Sequence, residues 1–155
     1  MARHSVAKIG LFTVVWAGLS TGASGAEPAR GTSAPTHEIA QGKGQATLLL
    51  NAGTGSSEAA LSRLILNRGA QVPEHVHEQS AELLYVISGQ LVVQLDGQSL
   101  TLQAGDAVRI PAGHKHAGSL PAGVDRAELV QVYVGPGPEQ RFTQGKRLPP
   151  PPTKP

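Results

Sequence analysis

The sequence predicts an all-β sandwich or barrel of one domain, and three observations lead to this prediction. Between residues 46 and 134 the apolar residues come in short bursts separated by turn residues, without helical periodicity. The pair Asp96-Gly97 between two alternating segments is a strong signal of a two-residue β-hairpin. The chain has 155 residues, which is the size of one ordinary domain with room for extensions at its ends.

Residues 1–26 have the three parts of a secretory signal peptide. Arg3 and Lys8 supply the positive charge, an uncharged apolar run of eleven residues follows, and small residues precede a cut after Ala26. The apolar run is shorter than the about 20 residues of a membrane-spanning helix, so an uncleaved anchor is the less favoured alternative. We therefore expect an exported protein, periplasmic or secreted, with no stable membrane anchor after cleavage.

Charge and composition exclude several classes of function. The chain has 13 basic and 11 acidic side chains, and without Arg3 and Lys8 the two numbers become equal. A generally basic surface for nucleic acid is therefore not expected, and a small molecule is the expected partner. The absence of cysteine excludes disulfides, thiolate metal sites and cysteine nucleophiles. Only three aromatic side chains follow the signal segment, which argues against a pocket built on ring stacking.

The predicted mature chain has one β-barrel domain, residues 46–142, between two extensions. Residues 27–45 are rich in Gly, Ala, Ser, Pro and Thr and are predicted to be flexible, with His37 exposed to solvent. Residues 143–155 contain four consecutive prolines, which cannot join a sheet or a helix and indicate an extended Pro-rich tail. Both extensions are therefore predicted to be disordered.

Seven apolar bursts give the strands of the predicted domain. They are residues 46–50, 61–66, 83–87, 91–95, 100–102, 107–110 and 129–134. In the fourth burst Leu91, Val93 and Leu95 share one face while Gln94 lies on the other, as in a half-buried strand. Edge strands of such a fold are open to pairing, so a homodimer is compatible with this architecture.

Two histidines and a carboxylate predict a metal site inside the barrel. His75 and His77 are two residues apart, so on an extended strand both imidazoles point to one face. Glu82 begins the apolar face of the next strand, where a carboxylate is costly unless it is paired. This combination indicates a mononuclear site for a divalent metal, with His116 as a fourth ligand from another strand.

The same residues also have simpler interpretations. A histidine in a strand is commonly a surface or core residue that binds no metal. His114 could share the face of His116, although the rim of the barrel is its favoured position. Arg109 could bind a carboxylate if its face were the inner one, but its apolar neighbours are expected to take that face. Tyr85 has the opposite parity to Glu82 and is expected to point away from the metal.

Two segments resemble the two conserved motifs of the cupin family. Residues 69–89 match the pattern G-x5-H-x-H-x4-E-x6-G at every fixed position, and residues 105–116 match G-x5-P-x-G-x2-H. The spacer of 15 residues between them suits a small microbial cupin. The second motif continues to an asparagine, where this chain has Leu120. That asparagine is not a metal ligand in the family, so the departure weakens a germin-like activity and leaves the metal site intact.

The resemblance implies a small single-domain cupin, with a jelly-roll β-barrel around a metal. It assigns His75, His77, Glu82 and His116 as the metal ligands, and Glu82 could also serve as a catalytic proton acceptor. The expected cofactor is one divalent transition metal, and the ligand set does not choose among Fe, Mn, Cu, Zn, Ni and Co.

Two functions follow from such a site. The first is a metal-dependent oxidoreductase of dioxygenase type that acts on a small organic substrate, with lyase or isomerase chemistry as related possibilities in the family. The second is a non-catalytic or sensory cupin that binds a metal or a small ligand. Since one ligand set supports all of these, the sequence does not choose between them.

Overall fold

The structure is a computed structural model that describes residues 28–135 and 137–149. Eleven strands and three short 3₁₀ helices follow one another along these residues, which confirms the all-β prediction. The strands are β1 (Thr36–Ile39), β2 (Gly44–Leu50), β3 (Ala59–Asn67), β4 (Gln71–His75), β5 (Ala81–Ser88), β6 (Gln90–Leu95), β7 (Gln98–Gln103), β8 (Ala107–Ile110), β9 (His116–Ser119), β10 (Arg126–Val134) and β11 (Arg147–Leu148). The 3₁₀ helices are Ala40–Gly42, Ala52–Thr54 and Pro138–Gln144.

The strands form two sheets that enclose one core. The larger sheet has the order β11-β1-β2-β3-β10-β5-β8, and the smaller sheet has the order β4-β9-β6-β7. Neighbouring strands run antiparallel in both sheets. Because consecutive strands such as β5 and β6 lie in different sheets, the chain crosses repeatedly between them, as expected for a jelly roll.

Alternation along the strands builds the core between the sheets. In β10 of the larger sheet, Ala127, Leu129, Gln131 and Tyr133 are buried, while the residues that alternate with them are less buried. In β6 of the smaller sheet, Leu91 and Val93 are buried in the same way. Burying an aliphatic side chain of this size contributes about 1.5–3 kcal/mol. Packing of this core is therefore the main source of stability in a chain without cysteine.

The hairpin between β6 and β7 confirms the prediction made from Asp96-Gly97. Leu95 and Gln98 are cross-strand partners on either side of the turn. Asp96 has φ 47° and Gly97 has φ 81°. Positive φ at both central residues is typical of a type I′ turn, which matches the twist of the strands that it joins.

Gly89 lies where the chain passes from the larger sheet to the smaller one. Its φ is 79°, in the left-handed region that favours glycine. A Cβ atom at this position would lie 2.2 Å from the carbonyl oxygen of Arg126. Two independent requirements therefore select glycine at this junction, which is also the last fixed position of the first motif.

The domain extends further towards both ends than the sequence predicted. β1 lies within residues 27–45, the segment predicted to be flexible, and it pairs with β2 on one side and β11 on the other. β11 in turn lies within the predicted tail, residues 143–155. His37 is only 8% exposed, and its Nδ1 lies 3.2 Å from the carbonyl oxygen of Gly145. β1 and β11 have no apolar burst of their own, so only their partner strands reveal them.

Several predictions fall outside the described residues. One is the signal peptide over residues 1–26, and the other is the extended proline run, most of which is residues 150–152. Both stay predictions. Within residues 28–135 and 137–149, no helix is long and apolar enough to cross a membrane.

Candidate metal centre

A register shift between β4 and β9 places the first histidine. The two strands pair at Val72 and Gly118, and the pairing then shifts before His75 meets His116. Pro73 lies within the shift, and because proline has no backbone N–H, the ladder loses little there. The result is that His75 and His116 lie side by side on neighbouring strands, with ring centroids 4.2 Å apart.

The second histidine is held by the loop of the second motif. The N–H of Gly113 donates to the carbonyl oxygen of His77 at 2.9 Å. Gly113 has φ 80°, a conformation that the turn requires and glycine permits. The ring of His77 lies 4.8 Å from that of His75 and 5.1 Å from that of His116. His75 and His77 therefore point to one place, as predicted, although His77 lies beyond the end of β4.

Glu82 reaches the same point from the larger sheet. It shares the inward face of β5 with Leu84 and Val86, and it is only 4% exposed. Its Oε2 lies 3.1 Å from Nε2 of His116 and 3.3 Å from Nε2 of His77. The donor atoms of all four residues predicted as ligands lie within 4.8 Å of one another. Both sheets thus contribute to one cluster of donors.

Backbone carbonyls orient two of the three imidazoles. Nδ1 of His75 lies 2.7 Å from the carbonyl oxygen of Pro73, and Nδ1 of His116 lies 2.9 Å from that of His114. Because a carbonyl oxygen only accepts, Nδ1 carries the proton in both rings. Nε2 is left to face the centre of the cluster, which is how metal-binding histidines are commonly held.

Glu82 and His116 form a charged pair. Burial raises the pKa of Glu82, but His116, His77 and Gln131 together outweigh it and hold that pKa at about 2. Burial lowers the pKa of His116, but the hydrogen bonds to Glu82 and to the carbonyl oxygen of His114, together with the charge of Glu82, outweigh it, so the pKa of His116 is raised. Without a metal, the direction of this shift favours a proton on Nε2 of His116, bound to the carboxylate. A metal at this nitrogen has to displace that proton.

His75 and His77 each present a buried nitrogen without a hydrogen-bond partner. Burial lowers the pKa of His75 to about 4 against the effect of its bond to Pro73, so this ring is neutral at pH 7. Among the described residues, Nε2 of His75 and Nε2 of His77 have no hydrogen-bond partner. Nε2 of His77 lies 3.3 Å from Oε2 of Glu82 without a hydrogen bond to it. Buried atoms of this kind are costly, and a metal would satisfy both.

The donor set fits one divalent transition metal. Nitrogen and carboxylate oxygen bind such ions at about 2.0–2.2 Å, so neighbouring ligands are about 3 Å apart and opposite ligands about 4 Å apart. Donors within 4.8 Å of one another need only small movements to reach that arrangement. Three imidazoles and one carboxylate suit Fe, Mn, Co, Ni, Cu and Zn alike. Five- or six-coordination leaves one or two positions open for a ligand.

A cavity of about 360 Å³ lies against the cluster. His75, Glu82 and His116 form part of its wall. The aliphatic part of the wall includes Leu64, Leu66, Leu84, Leu91, Val93, Ile110 and Leu129. A mainly apolar pocket with a few convergent polar groups is typical of a small-molecule site.

Three polar residues beside the cluster were not found from the sequence. Gln131 is only 2% exposed, and its Nε2 donates to Oε1 of Glu82 at 2.6 Å and to the hydroxyl oxygen of Tyr133 at 2.9 Å. Nη2 of Arg141 donates to the same hydroxyl oxygen at 3.2 Å. Gln131 and Tyr133 lie on the same face of β10 as the buried Leu129. Two polar side chains on an otherwise apolar face are a signal that could have indicated them. Arg141 lies in a 3₁₀ helix, and no pattern points to it.

Four other residues named from the sequence lie outside the donor cluster. His114 is at the exposed rim, and its Nδ1 lies 2.5 Å from Oδ2 of Asp96. Arg109 and Tyr85 are exposed and do not line the cavity beside the cluster, as their parity predicted. Leu120, at the position of the family's asparagine, packs partly buried against the core.

The matches to known proteins agree with this fold. Residues 62–133 match the family described as the cupin domain. The chain is 32% identical to tetracenomycin polyketide synthase protein TcmJ of Streptomyces glaucescens over 133 residues, which cover 78% of this chain and 88% of TcmJ. The chain therefore belongs to the cupin superfamily.

Two further matches are one enzyme sequence and one solved structure. The chain is 35% identical to quercetin 2,3-dioxygenase of Bacillus subtilis over 79 residues, which cover 49% of this chain and only 23% of that enzyme. The solved structure of the polyketide cyclase RemF from Streptomyces resistomycificus has a TM-score of 0.62 at 20% identity, covering 73% of this chain and 82% of RemF. At that identity the likeness to RemF concerns the fold alone.

Proposed function

We propose that this protein is a metal-dependent oxidoreductase of dioxygenase type that acts on a small, largely apolar organic substrate. The observation that carries the proposal is the position of the donor cluster on the wall of an apolar cavity. A metal held by the cluster would therefore lie next to a substrate bound in the cavity. When bound, a redox-active metal would supply Lewis acidity and electron transfer to dioxygen.

The residues of the chain prepare the site in two ways. Glu82 supplies one negative charge, so a divalent ion held here would keep a net positive charge that attracts an oxygen atom of the substrate. The aliphatic wall excludes water from that oxygen and strengthens the attraction. Gln131 holds Oε1 of Glu82 on the side away from the histidines, which leaves Oε2 for the metal.

Glu82 is also the proposed proton acceptor. Among the described residues, it is the only buried carboxylate on the cavity wall. Its pKa of about 2 makes it a weak base in the metal-free site. It therefore accepts a proton only from a substrate hydroxyl whose own pKa falls on binding. Substrates with an acidic or enolic hydroxyl group fit this requirement best.

The named relatives support an enzyme and leave its reaction open. Quercetin 2,3-dioxygenase is an oxygenase by name, whereas TcmJ is named for polyketide synthesis. The match to TcmJ covers most of both chains, and the match to the dioxygenase covers less than a quarter of that enzyme.

The proposal is tested by metal content and oxygen uptake. The protein is purified without a histidine tag, analysed for metals, and then loaded with Fe(II), Mn(II), Co(II), Ni(II), Cu(II) or Zn(II) in separate samples. We expect about one metal per chain in the wild type and in His114→Ala, and strong loss in His77→Ala. With a redox-active metal, oxygen uptake should accompany decay of quercetin or a related enolic substrate. If none of the substrates in a broad panel gives oxygen uptake, the proposal is contradicted.

A non-catalytic cupin is the second candidate. It is favoured by the intact donor cluster, which is sufficient for binding, and by the scarcity of other acids and bases around the cavity. It predicts tight binding of a metal or ligand without consumption of either. Equal amounts of ligand recovered before and after long incubation with the loaded protein would favour it over the enzyme.

Export is a separate proposal that rests on residues 1–26. N-terminal sequencing of the protein from cells that secrete it should give a mature chain that begins near Glu27. A chain that retains Met1 in the cytoplasmic fraction would contradict export. The homodimer also stays a prediction, which light scattering on the mature protein would decide.

A further inference from the structure

Arg141 gives the cavity a positive charge that the proposed metal site does not use. It lies in the 3₁₀ helix Pro138–Gln144, is partly buried, and is the only Lys or Arg on the cavity wall within the described ranges. The other charged wall residue outside the donor cluster is Glu74, which is exposed to solvent. A guanidinium inside a largely aliphatic wall is costly unless something compensates its charge.

The protein itself compensates little of that charge. Nη2 of Arg141 donates to the hydroxyl oxygen of Tyr133 at 3.2 Å, and Cζ lies 5.3 Å from the ring centroid of Phe142. Within residues 28–135 and 137–149, no carboxylate forms an ion pair with it. A guanidinium has five N–H donors in a planar fork that matches a carboxylate. Most of these donors are therefore available to a ligand.

The guanidinium also lies close enough to the donor cluster to act on the same ligand. Its partner Tyr133 packs edge-on against His77, with ring centroids 5.0 Å apart. His75, His116 and Arg141 also line the same cavity. A molecule in the cavity can therefore meet Arg141 at one end and the cluster at the other.

The geometry points to Arg141 as the residue that binds the anionic group of the ligand, and to a hydrophobic carboxylate as the ligand class. The inference deepens the proposed function, because it concerns the substrate of the same cavity. The aliphatic wall accepts the apolar body, and Arg141 pairs with the carboxylate in a fork geometry. A cavity of about 360 Å³ is at the small end of ligand pockets, which suits a bicyclic molecule.

The test uses 2-naphthoate and its neutral analogue 2-naphthalenemethanol as probes. Binding is measured by calorimetry on the metal-free mature protein, because a metal would itself attract the carboxylate. We expect the wild type to prefer naphthoate by about tenfold to a hundredfold, as for a charge-assisted hydrogen bond. Arg141→Gln should abolish the preference and Arg141→Lys should retain part of it. Arg109→Gln, on the outer face, should leave the preference unchanged.

One variant separates ligand binding from a purely structural role of Arg141. If Arg141 only supports Tyr133, then Tyr133→Phe should have the same effect as Arg141→Gln. If Arg141 binds the ligand, Tyr133→Phe releases it from its partner and the preference for naphthoate persists. Thermal unfolding of each variant shows whether the fold is intact, and Arg141→Lys provides a second measurement if Arg141→Gln is unstable.

Three results would overturn the inference. They are equal binding of the two probes to the wild type, an unchanged preference in Arg141→Gln, and no naphthoate binding to the wild type at millimolar concentration. None of these depends on a metal or on turnover. Failure of the proposed oxidoreductase would instead appear as missing metal or missing oxygen uptake, so the two failures can be distinguished.

Discussion

Replacement of Gln131 by leucine perturbs the metal centre without removing a metal donor. Gln131→Leu keeps a side chain of similar size but removes the amide that donates to Oε1 of Glu82 at 2.6 Å. That oxygen is then left buried without this donor. Tyr133 loses its 2.9 Å bond to Gln131 but still accepts from Arg141. The effect of the change therefore falls mainly on the carboxylate.

The size of the effect follows from these contacts. A hydrogen bond to a charged group contributes about 1.5–3 kcal/mol. Oε1 of Gln131 has no hydrogen-bond partner among the described residues, so leucine also removes one unfavourable buried atom. We therefore expect the free energy of unfolding of the metal-free protein to fall by about 1–2 kcal/mol. Metal affinity should fall about tenfold to a hundredfold, as is usual when a ligand loses its outer hydrogen bond.

Urea denaturation of the metal-free protein and competition for Zn(II) against a chromophoric chelator measure the two quantities. Gln94→Leu is the matched control, because Gln94 is exposed and its one hydrogen bond from Nε2 among the described residues goes to the hydroxyl of Ser99, at 3.0 Å. The control should change the free energy of unfolding by no more than about 0.5 kcal/mol and leave zinc affinity unchanged. If Gln131→Leu binds zinc as tightly as the wild type, Glu82 does not depend on Gln131, and the reasoning is refuted.

Three further predictions concern pH, metal removal and one glycine. Because the pKa of His116 is raised by Glu82, zinc affinity should be constant above that pKa and fall about tenfold per pH unit below it, which chelator competition between pH 5 and 8 measures. Without a metal, the raised pKa of His116 has the opposite pH dependence, because it stabilises the fold at low pH. This contribution to the free energy of unfolding is lost as pH rises through the raised pKa. Zinc at about 100 times its Kd should raise the free energy of unfolding by about 2.7 kcal/mol, and a chelator should reverse this rise. Gly89→Ala should be destabilising by several times more than Gly97→Ala, because both have positive φ but only the first meets a backbone oxygen, that of Arg126. Similar unfolding midpoints for the two glycine variants would contradict this.

The strands and the hairpin could be predicted because their signals are local. Alternation in β6 and the pair Asp96-Gly97 are visible within a few residues, and the structure has both. β1 and β11 could not be predicted in the same way, because each is defined by its partner strand and not by its own pattern. His37 illustrates the difference: a polar residue in a Gly-rich segment is buried by contacts made far along the chain.

The same difference between local signals and distant contacts applies to the donor cluster and its surroundings. His75, His77, Glu82 and His116 follow from the spacing within two motifs, and the structure brings them together. The residues that surround them depend on packing between elements. Arg141 reaches the cavity because the last 3₁₀ helix contributes to its wall, and no local pattern describes that placement.

The division of the donors between two sheets has a mechanical consequence. Glu82 belongs to the larger sheet, whereas His75 and His116 belong to the smaller one. An ion bound to all three would act as a reversible cross-link through the middle of the barrel, in a chain with no cysteine to form a covalent one. Ion exchange would then be limited by how often the two sheets separate or the cavity admits a competing chelator. Metal occupancy and resistance to unfolding should therefore rise and fall together in this protein.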